Sequence, residues 1–350
     1  MKTPDTPVLR ARRQVAGTLA AAAVATLLAL GGAAPAAAQT AAWPSKPVKL
    51  LVGFPGGSTP DIAARALADA LAKTWGQPVV VENRPGASGN VAADAVAKST
   101  DDHTLGVVIN GNLTSAKMLN PKLPYDPAKD FSLISLLATA PLVLVTPADQ
   151  PQGAAFVAAA RAAGDKWSYG SVGIGSVGHL GMEVVKAAVN SSGAGSGGSG
   201  AAGNLQAVHV PYNGNPAVLT AMLGGQIQMA LVPPGLALAQ VKAGKLHAIG
   251  VTGPRSALAP EVPPLADAGL KMAPLEVWTA LVGPASMSKP ALERLARDVP
   301  AAVKDADTKQ RLFTGGWEAQ GSTPEALATR VQADSRILGD IITRLNIKLE

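Results

Sequence analysis

The 350-residue chain has no cysteine, only four histidines and few aromatic residues (five Trp, three Tyr, four Phe). Without cysteine there is no disulfide framework, no thiol nucleophile and no thiolate metal site. His103, His179, His209 and His247 lie far apart, and none belongs to an H-E-x-x-H pair. No serine sits in a Gly-x-Ser-x-Gly nucleophile elbow. No long basic run follows the first residues, and aromatic platforms for bases are scarce, so nucleic-acid binding has no footing. From these absences the chain is expected to be no enzyme and to hold no metal or cofactor.

The longest apolar run comes first. Arg10, Arg12 and Arg13 precede the stretch from Val15 to Leu30, and Ala36-Ala37-Ala38 stands before Gln39. This is the pattern of a secretory signal peptide over residues 1–38, and it predicts an exported, periplasmic protein. The run is shorter than the ~20 residues of a membrane span. Removing Lys2, Asp5, Arg10, Arg12 and Arg13 leaves only a mild excess of the formal +6 charge. A mature chain of that length, 47% hydrophobic overall, can bury two moderate cores, so two domains are expected.

Strand-like and helix-like runs alternate along the rest of the chain. Apolar residues recur at helical spacing in stretches such as Ile62, Ala66, Leu67, Ala70 and Leu71. Short β-branched runs such as Val48–Phe54, Thr104–Ile109 and Ile227–Val232 read as buried strands. The alternation predicts an α/β fold with largely parallel sheets, whose ligands bind beyond the carboxyl ends of strands. Residues 190–204 contain only Asn, Ser, Gly and Ala and cannot build a core, so they read as a flexible surface loop.

Two strand-to-helix junctions carry the chemistry. In the first, Phe54-Pro55-Gly56-Gly57-Ser58-Thr59-Pro60-Asp61, the glycines allow a tight turn. Ser58 or Thr59 can cap a helix, and Pro60 suits its first position. In the second, Tyr169 to Leu180, Gly173 and Gly175 let backbone approach a ligand and Ser176 can cap the next helix. Free N–H groups at both helix starts are ready to bind an anion. Phe54 reads either as a ligand-facing wall or as the last core residue of its strand. Asp61 is either a ligand contact or a charge matched to the helix dipole and to Arg65 one turn on. His179 falls in the first helical turn, where the positive helix end disfavours its charged form; it is either a structural hydrogen-bonder or a ligand contact. Asn110 ends another strand and can turn an amide toward the same cleft. The Glu82-Asn83-Arg84-Pro85-Gly86 stretch reads as a structural turn.

Taken in order, these motifs resemble the periplasmic solute-binding receptors of tripartite tricarboxylate transporters, the Bug-type receptors. The resemblance rests on Trp43-Pro44-Ser45-Lys46-Pro47-Val48, the Gly-Gly loop with Asp61 and Arg65, and Val79-Val80-Val81-Glu82-Asn83-Arg84-Pro85-Gly86. It continues through Leu123-Pro124-Tyr125-Asp126-Pro127, Tyr169-Gly170-Ser171, His209-Val210-Pro211-Tyr212, Leu223-Gly224-Gly225-Gln226 and Gly321-Ser322-Thr323-Pro324-Glu325. It implies a two-lobed binding protein of type II character, hinged, with a ligand cleft between the lobes. Lobe 1 would span 43–143 with 277–350 and lobe 2 would span 144–276, with hinge crossings near Ala140–Val145 and Glu276–Val282. The implied ligand is a small organic acid, held at Phe54, Gly57, Ser58, Thr59, Asp61, Gly173, Gly175, Ser176 and His179. The implied partner is the permease of a tripartite transporter, served by a monomer.

The chain departs from the family pattern in the Gly-Gly loop, which stands one place early with Pro60 inserted, and in the long 190–204 segment. Thr100-Asp101-Asp102-His103 stands where the family tends to read Pro-Asp-Gly-Tyr. Leu231-Val232-Pro233-Pro234 lacks a polar residue often found there, which points to a more apolar distal pocket suited to an aliphatic or aromatic acid rather than citrate. Two other functions share this architecture, a ligand sensor for a signalling system and an exported enzyme.

Overall fold

The computed structural model describes residues 43–192 and 204–349. The signal peptide expected over 1–38 lies outside the described residues, as does most of the expected 190–204 loop. Eleven strands are described: β1 (Val48–Val52), β2 (Val79–Asn83), β3 (Thr104–Ile109), β4 (Phe131–Pro141), β5 (Val143–Pro147), β6 (Ser168–Ser171), β7 (Val208–Pro211), β8 (Met229–Val232), β9 (Leu246–Val251), β10 (Glu276–Pro284) and β11 (Glu318–Ala319). They form a six-stranded sheet in the order β11-β4-β10-β3-β1-β2 and a five-stranded sheet in the order β7-β6-β8-β5-β9.

The sheets are mixed rather than largely parallel. β1 runs parallel to β2 and β3, and β6 runs parallel to β7 and β8. β10 is antiparallel to β3 and β4, and β5 is antiparallel to β8 and β9. The antiparallel strand in each sheet has entered it from the other sheet, a consequence of topology that local periodicity does not encode. Leaving out the short β11, the two sheets share one pattern: a first strand flanked by its two parallel successors, then the incoming strand, then an edge. β1 and β6 hold equivalent places.

The chain crosses between sheets at Leu142 and again between Thr252 and Leu275. The first crossing lies inside the expected segment. The second falls just before Glu276, because all of β10 belongs to the first sheet. Thr252, 1% exposed, joins both crossings. Its N–H donates to Leu142 O at 2.9 Å and its Oγ1 accepts from Leu142 N at 3.0 Å, while Oγ1 donates to Leu275 O at 2.5 Å and Leu275 N donates to Thr252 O at 2.8 Å.

Both faces of each sheet are covered. Val48, Leu50 and Val52 of β1 pack with Ala63, Leu67 and Leu71 of the helix Thr59–Trp75 and with Leu295 and Trp317. Leu144 of β5 packs with Leu180, Val184 and Val185 of the helix Val177–Ser191. The C-terminal helix Pro324–Arg344 is shared. Leu327 near its start belongs to the first sheet's core, whereas Leu338 and Ile341 near its end join the second sheet's core. Among the described residues no helix is long and apolar enough to cross a membrane.

Gly53, between β1 and the first junction, marks a close backbone approach. A Cβ there would lie 2.4 Å from Gly89 Cα and 2.7 Å from Gly89 O. Neither atom is on a flexible side chain, so the clash cannot relax cheaply. Gly53→Ala is expected to destabilise the protein by about 3 kcal/mol, read as a lowered midpoint in chemical denaturation with an unchanged slope.

Candidate functional site

The first junction turns out of β1 through Gly57, whose φ of +78° suits glycine. The helix begins at Thr59 with Ser58 as N-cap, so Pro60 takes its second position rather than its first. The 1%-exposed Ser58 side chain makes no capping bond, and its Oγ has no hydrogen-bond partner. Asp61 closes the turn instead. Its carboxylate accepts from Gly57 N at 2.9 Å, Arg65 Nε and Nη2 at 3.0 Å each, and Asn83 Nδ2 at 2.8 Å. Asn83 Nδ2 also donates to Phe54 O at 2.8 Å, so β2 grips both ends of the junction. Phe54 itself is a buried core residue, 4% exposed.

The second junction repeats the plan. Gly173 and Gly175 have φ of +118° and +82°, and Ser176 is the N-cap of Val177–Ser191. Here the cap is made, as the sequence suggested: Ser176 Oγ accepts from His179 N at 3.2 Å. Ser176 Oγ also donates to Gly173 O at 2.8 Å. His179 Nδ1 accepts from Gly175 N at 3.3 Å. Ser171 Oγ lies 2.7 Å from His209 Nε2 and accepts from Gly173 N at 3.0 Å. The N–H groups of Gly57, Gly173 and Gly175 are thus engaged within their own loops.

Each junction abuts the other sheet's rim. Thr59 Oγ1 accepts from Asn215 Nδ2 at 3.3 Å, and Pro55 lies beside Gly214. Opposite the second junction, Ser88 Oγ donates to Ile174 O at 3.2 Å, and Ser115 Oγ donates to Gly175 O at 2.6 Å. A Cβ on Gly173 would strike Ser88 Oγ at 2.0 Å. No sequence pattern points to Ser88 or Ser115; for Ser88 the one available signal is its place two residues after the Arg84-Pro85-Gly86 turn. Asn110 is fully buried at the end of β3. Its Nδ2 donates to Glu276 O at 3.1 Å and its Oδ1 has no partner.

A cavity of about 340 Å³ opens beside the second junction, lined by residues that include Ser88, Asn90, Leu119, Val172, Ile174 and Tyr212. None of its lining residues is Lys, Arg, Asp, Glu or His. A smaller space reaches Gly111, Asn112, Gly175 and Ser176. Pro233 and Pro234 do not line either cavity. They open the helix Pro234–Lys242, and Gly235 meets the backbone of Gly315 and Gly316.

Burial opposes ionisation of Asp61, but hydrogen bonds from Arg65, Asn83 and Gly57 outweigh it and hold the carboxyl below its usual range. Burial, then the nearby Lys186, pushes His179 down to about 4. Burial, then His179, pushes His209 down to about 4. The two imidazole centroids are 4.3 Å apart, and Tyr169 stacks beside His209 at 5.0 Å. Among the described residues no cluster of His, Cys, Asp and Glu could hold a metal ion.

The sequence profile of the tripartite tricarboxylate transporter family receptor matches residues 63–347. Protein BugT of Bordetella pertussis is 30% identical over 319 residues, 89% of this chain and 90% of its own. An R. palustris protein solved with adipate is 26% identical with a TM-score of 0.79, over 87% of this chain and 99% of its own. MatC from Rhodopseudomonas palustris, solved with bound malate, is 28% identical with a TM-score of 0.76, over 86% and 100%. The periplasmic binding protein BugD shares the fold at a TM-score of 0.79 and 24% identity, over 88% and 100%. The fold is the two-lobed α/β fold of periplasmic binding proteins.

Asp61→Ala leaves the Gly57 N–H and Asn83 amide without their acceptor, while half-exposed Arg65 is rescued by water. The expected loss is about 2 kcal/mol in equilibrium unfolding at neutral pH. The two histidines are expected to make stability acid-sensitive. Their folded values lie below the unfolded 6.5, so the unfolded chain takes up protons first as pH falls. Stability is complete above about pH 6.5 and drops toward pH 4, by on the order of 3 kcal/mol per ring at most. Melting of the ligand-free protein across that range measures it, and His209→Gln should shrink the loss.

Proposed function

The chain belongs to the tripartite tricarboxylate transporter receptor family, and from that premise we propose that it is a periplasmic receptor that captures a small organic carboxylate. It would work as a monomer and deliver its cargo to the membrane permease of such a transporter, with no bond-making step. The observation that carries this reading is the equivalence of the two junctions. Each opens a long helix at the carboxyl end of β1 or β6, where the chain's path reverses between the two parallel neighbours, and each faces the rim of the other sheet.

We infer two lobes whose bounds follow the crossings, one residue from the expected 43–143 with 277–350 and 144–276: Val143 goes with lobe 2 and Glu276 with lobe 1, and the end of the last helix bridges them. The ligand carboxylate would accept from helix-start groups not engaged internally: the Ser58 hydroxyl and the N–H groups of Thr59, Val177 and Gly178. Gly57, Asp61, Gly173, Gly175, Ser176 and His179 would shape the two cradles, Phe54 would back the first, and the Asn110 carboxamide would meet a distal hydroxyl or protonated group. Closure expels water and strengthens these bonds, so ligand shifts an open–closed equilibrium toward the form the permease engages. Thr252 would sit at the pivot.

The lining supports a ligand class. With no cationic side chain around the 340 Å³ cavity, a third carboxylate would have no counter-charge there, and a lining that mixes Leu119, Val172 and Ile174 with Asn90, Asn120 and Asn213 suits an aliphatic body with one polar end. Thermal shifts against a panel containing adipate, malate, benzoate and citrate test this. A mono- or dicarboxylate is expected to stabilise by ~2.7 kcal/mol at a hundredfold excess over Kd, with citrate weaker. Ser58→Ala should leave stability unchanged, because its hydroxyl bonds nothing in the fold, yet weaken the bound acid about tenfold. Silence across the panel, together with no co-purified acid in native mass spectrometry, would defeat the proposal.

A further inference from the structure

The two junctions share a detail beyond their glycines. In the first, the third residue of the helix, Asp61, accepts the N–H of the residue just before the N-cap, Gly57. In the second, the third residue, His179, accepts the N–H of the residue just before the N-cap, Gly175. The same backbone position is tied to the same helical position in both lobes, by a carboxylate in one and an imidazole in the other. The supports behind them also correspond. Asp61 is held by Arg65 and Asn83, whereas His179 lies 5% exposed against His209 on β7, with Tyr169 of β6 stacked on both rings.

We propose that His179 is the positioning residue of the second cradle: its neutral Nδ1 holds the Gly175 N–H, and protonation of the ring releases the loop and lowers affinity for an anionic ligand. The chemistry is that of one lone pair. A neutral ring with its proton on Nε2 can accept at Nδ1, and an imidazolium presents an N–H to an N–H. His209 has no such conflict, since its partner Ser171 is a hydroxyl that can donate or accept. The charged and titratable groups around the pair are Glu183 and Lys186 on the same helix, Tyr169 on β6 and His209 on β7. Glu183 favours a positive ring, but it is taken up by Lys186 at 3.0 Å and the Tyr169 hydroxyl at 2.5 Å. Lys186 and a charged His209 both oppose it. Asp61 carries its negative charge stably, so the device is one-sided: only the second cradle responds to acid.

The consequence for capture rests on the receptor reading above, while the brace itself does not, and the experiment separates the two. In ligand-free protein, nitrogen-resolved NMR from pH 7.5 to 3.5 follows the His179 ring and the Gly175 amide. Both are expected to move with one midpoint, His179 carrying its proton on Nε2 at neutral pH, and the Gly175 response should vanish in His179→Asn. Asparagine places an acceptor oxygen where Nδ1 stood but cannot titrate. Adipate affinity by calorimetry is the second arm. His179→Asn should stay within about threefold of wild type at pH 7.5, and His179→Leu should bind at least tenfold more weakly. Relative to His179→Asn, which cancels adipate's own titration, wild type should lose a further factor of roughly two at pH 4 and four at pH 3.5. A Gly175 amide indifferent to His179 titration, or wild-type binding that tightens relative to His179→Asn in acid, would overturn the inference. A coupled Gly175 response without adipate binding at any pH would uphold the brace and count against the carboxylate reading.

Discussion

Both sheets of this protein are completed by a strand that arrives from the other one, and that exchange is the constraint on which everything else depends. β5 leaves β4 across a single residue to enter the second sheet, and β10 returns to lie between β3 and β4 of the first. The crossing segments cannot drift apart, because Thr252 bonds to Leu142 on one side and Leu275 on the other. Two sheets with one strand order, pinned at a shared edge, bring the carboxyl ends of β1 and β6 toward each other's rims. The junctions that follow those strands each then meet the opposite rim through short side chains, Thr59 with Asn215 and Ser88 and Ser115 with Ile174 and Gly175.

The cradles show how a loop rich in glycine is kept from being merely loose. Left-handed residues at Gly57, Gly173 and Gly175 give the turns their shape, but glycine alone gives no rigidity. Stiffness comes from local acceptors: Asp61 and His179 each take one loop N–H, Ser171 takes another, and Ser176 ties Gly173 to the helix it caps. These bonds leave fewer free amides than a count of glycines suggests. What remains open is the positive start of each helix, with an unpaired Ser58 hydroxyl beside the first. On the reading proposed above, an anion held this way would meet little fixed charge, which suits a receptor that must release its cargo as well as capture it.

Asp61 and Phe54 illustrate where a sequence reading leaves a choice open. At the level of sequence, Asp61 reads either as a ligand contact or as a helix-dipole charge; the four hydrogen bonds its carboxylate accepts tie it into the frame of the turn. Asn83, which supplies one of them, belongs to a motif that reads as a plain turn, and no spacing rule links it to a residue 22 positions away. No local pattern marks Ser88 and Ser115, because their partners are backbone oxygens of the second junction, 86 and 60 positions away.

What the sequence by itself determined is what local chemistry encodes: the α/β alternation, the two glycine-rich junctions and the N-cap at Ser176. Ordered motifs from Trp43 to Glu325 also carried the family. Only the tertiary structure decided that the sheets are mixed, that Thr252 joins the two crossings, that Ser58 rather than Ser176 keeps an unused hydroxyl, and that His179 and His209 stack behind the second loop. The reason is physical. Helix caps and turns depend on neighbours within about four residues, whereas strand exchange, the pairing of a hydroxyl and the burial of a ring are settled by residues tens to hundreds of positions away, which the fold alone brings into contact.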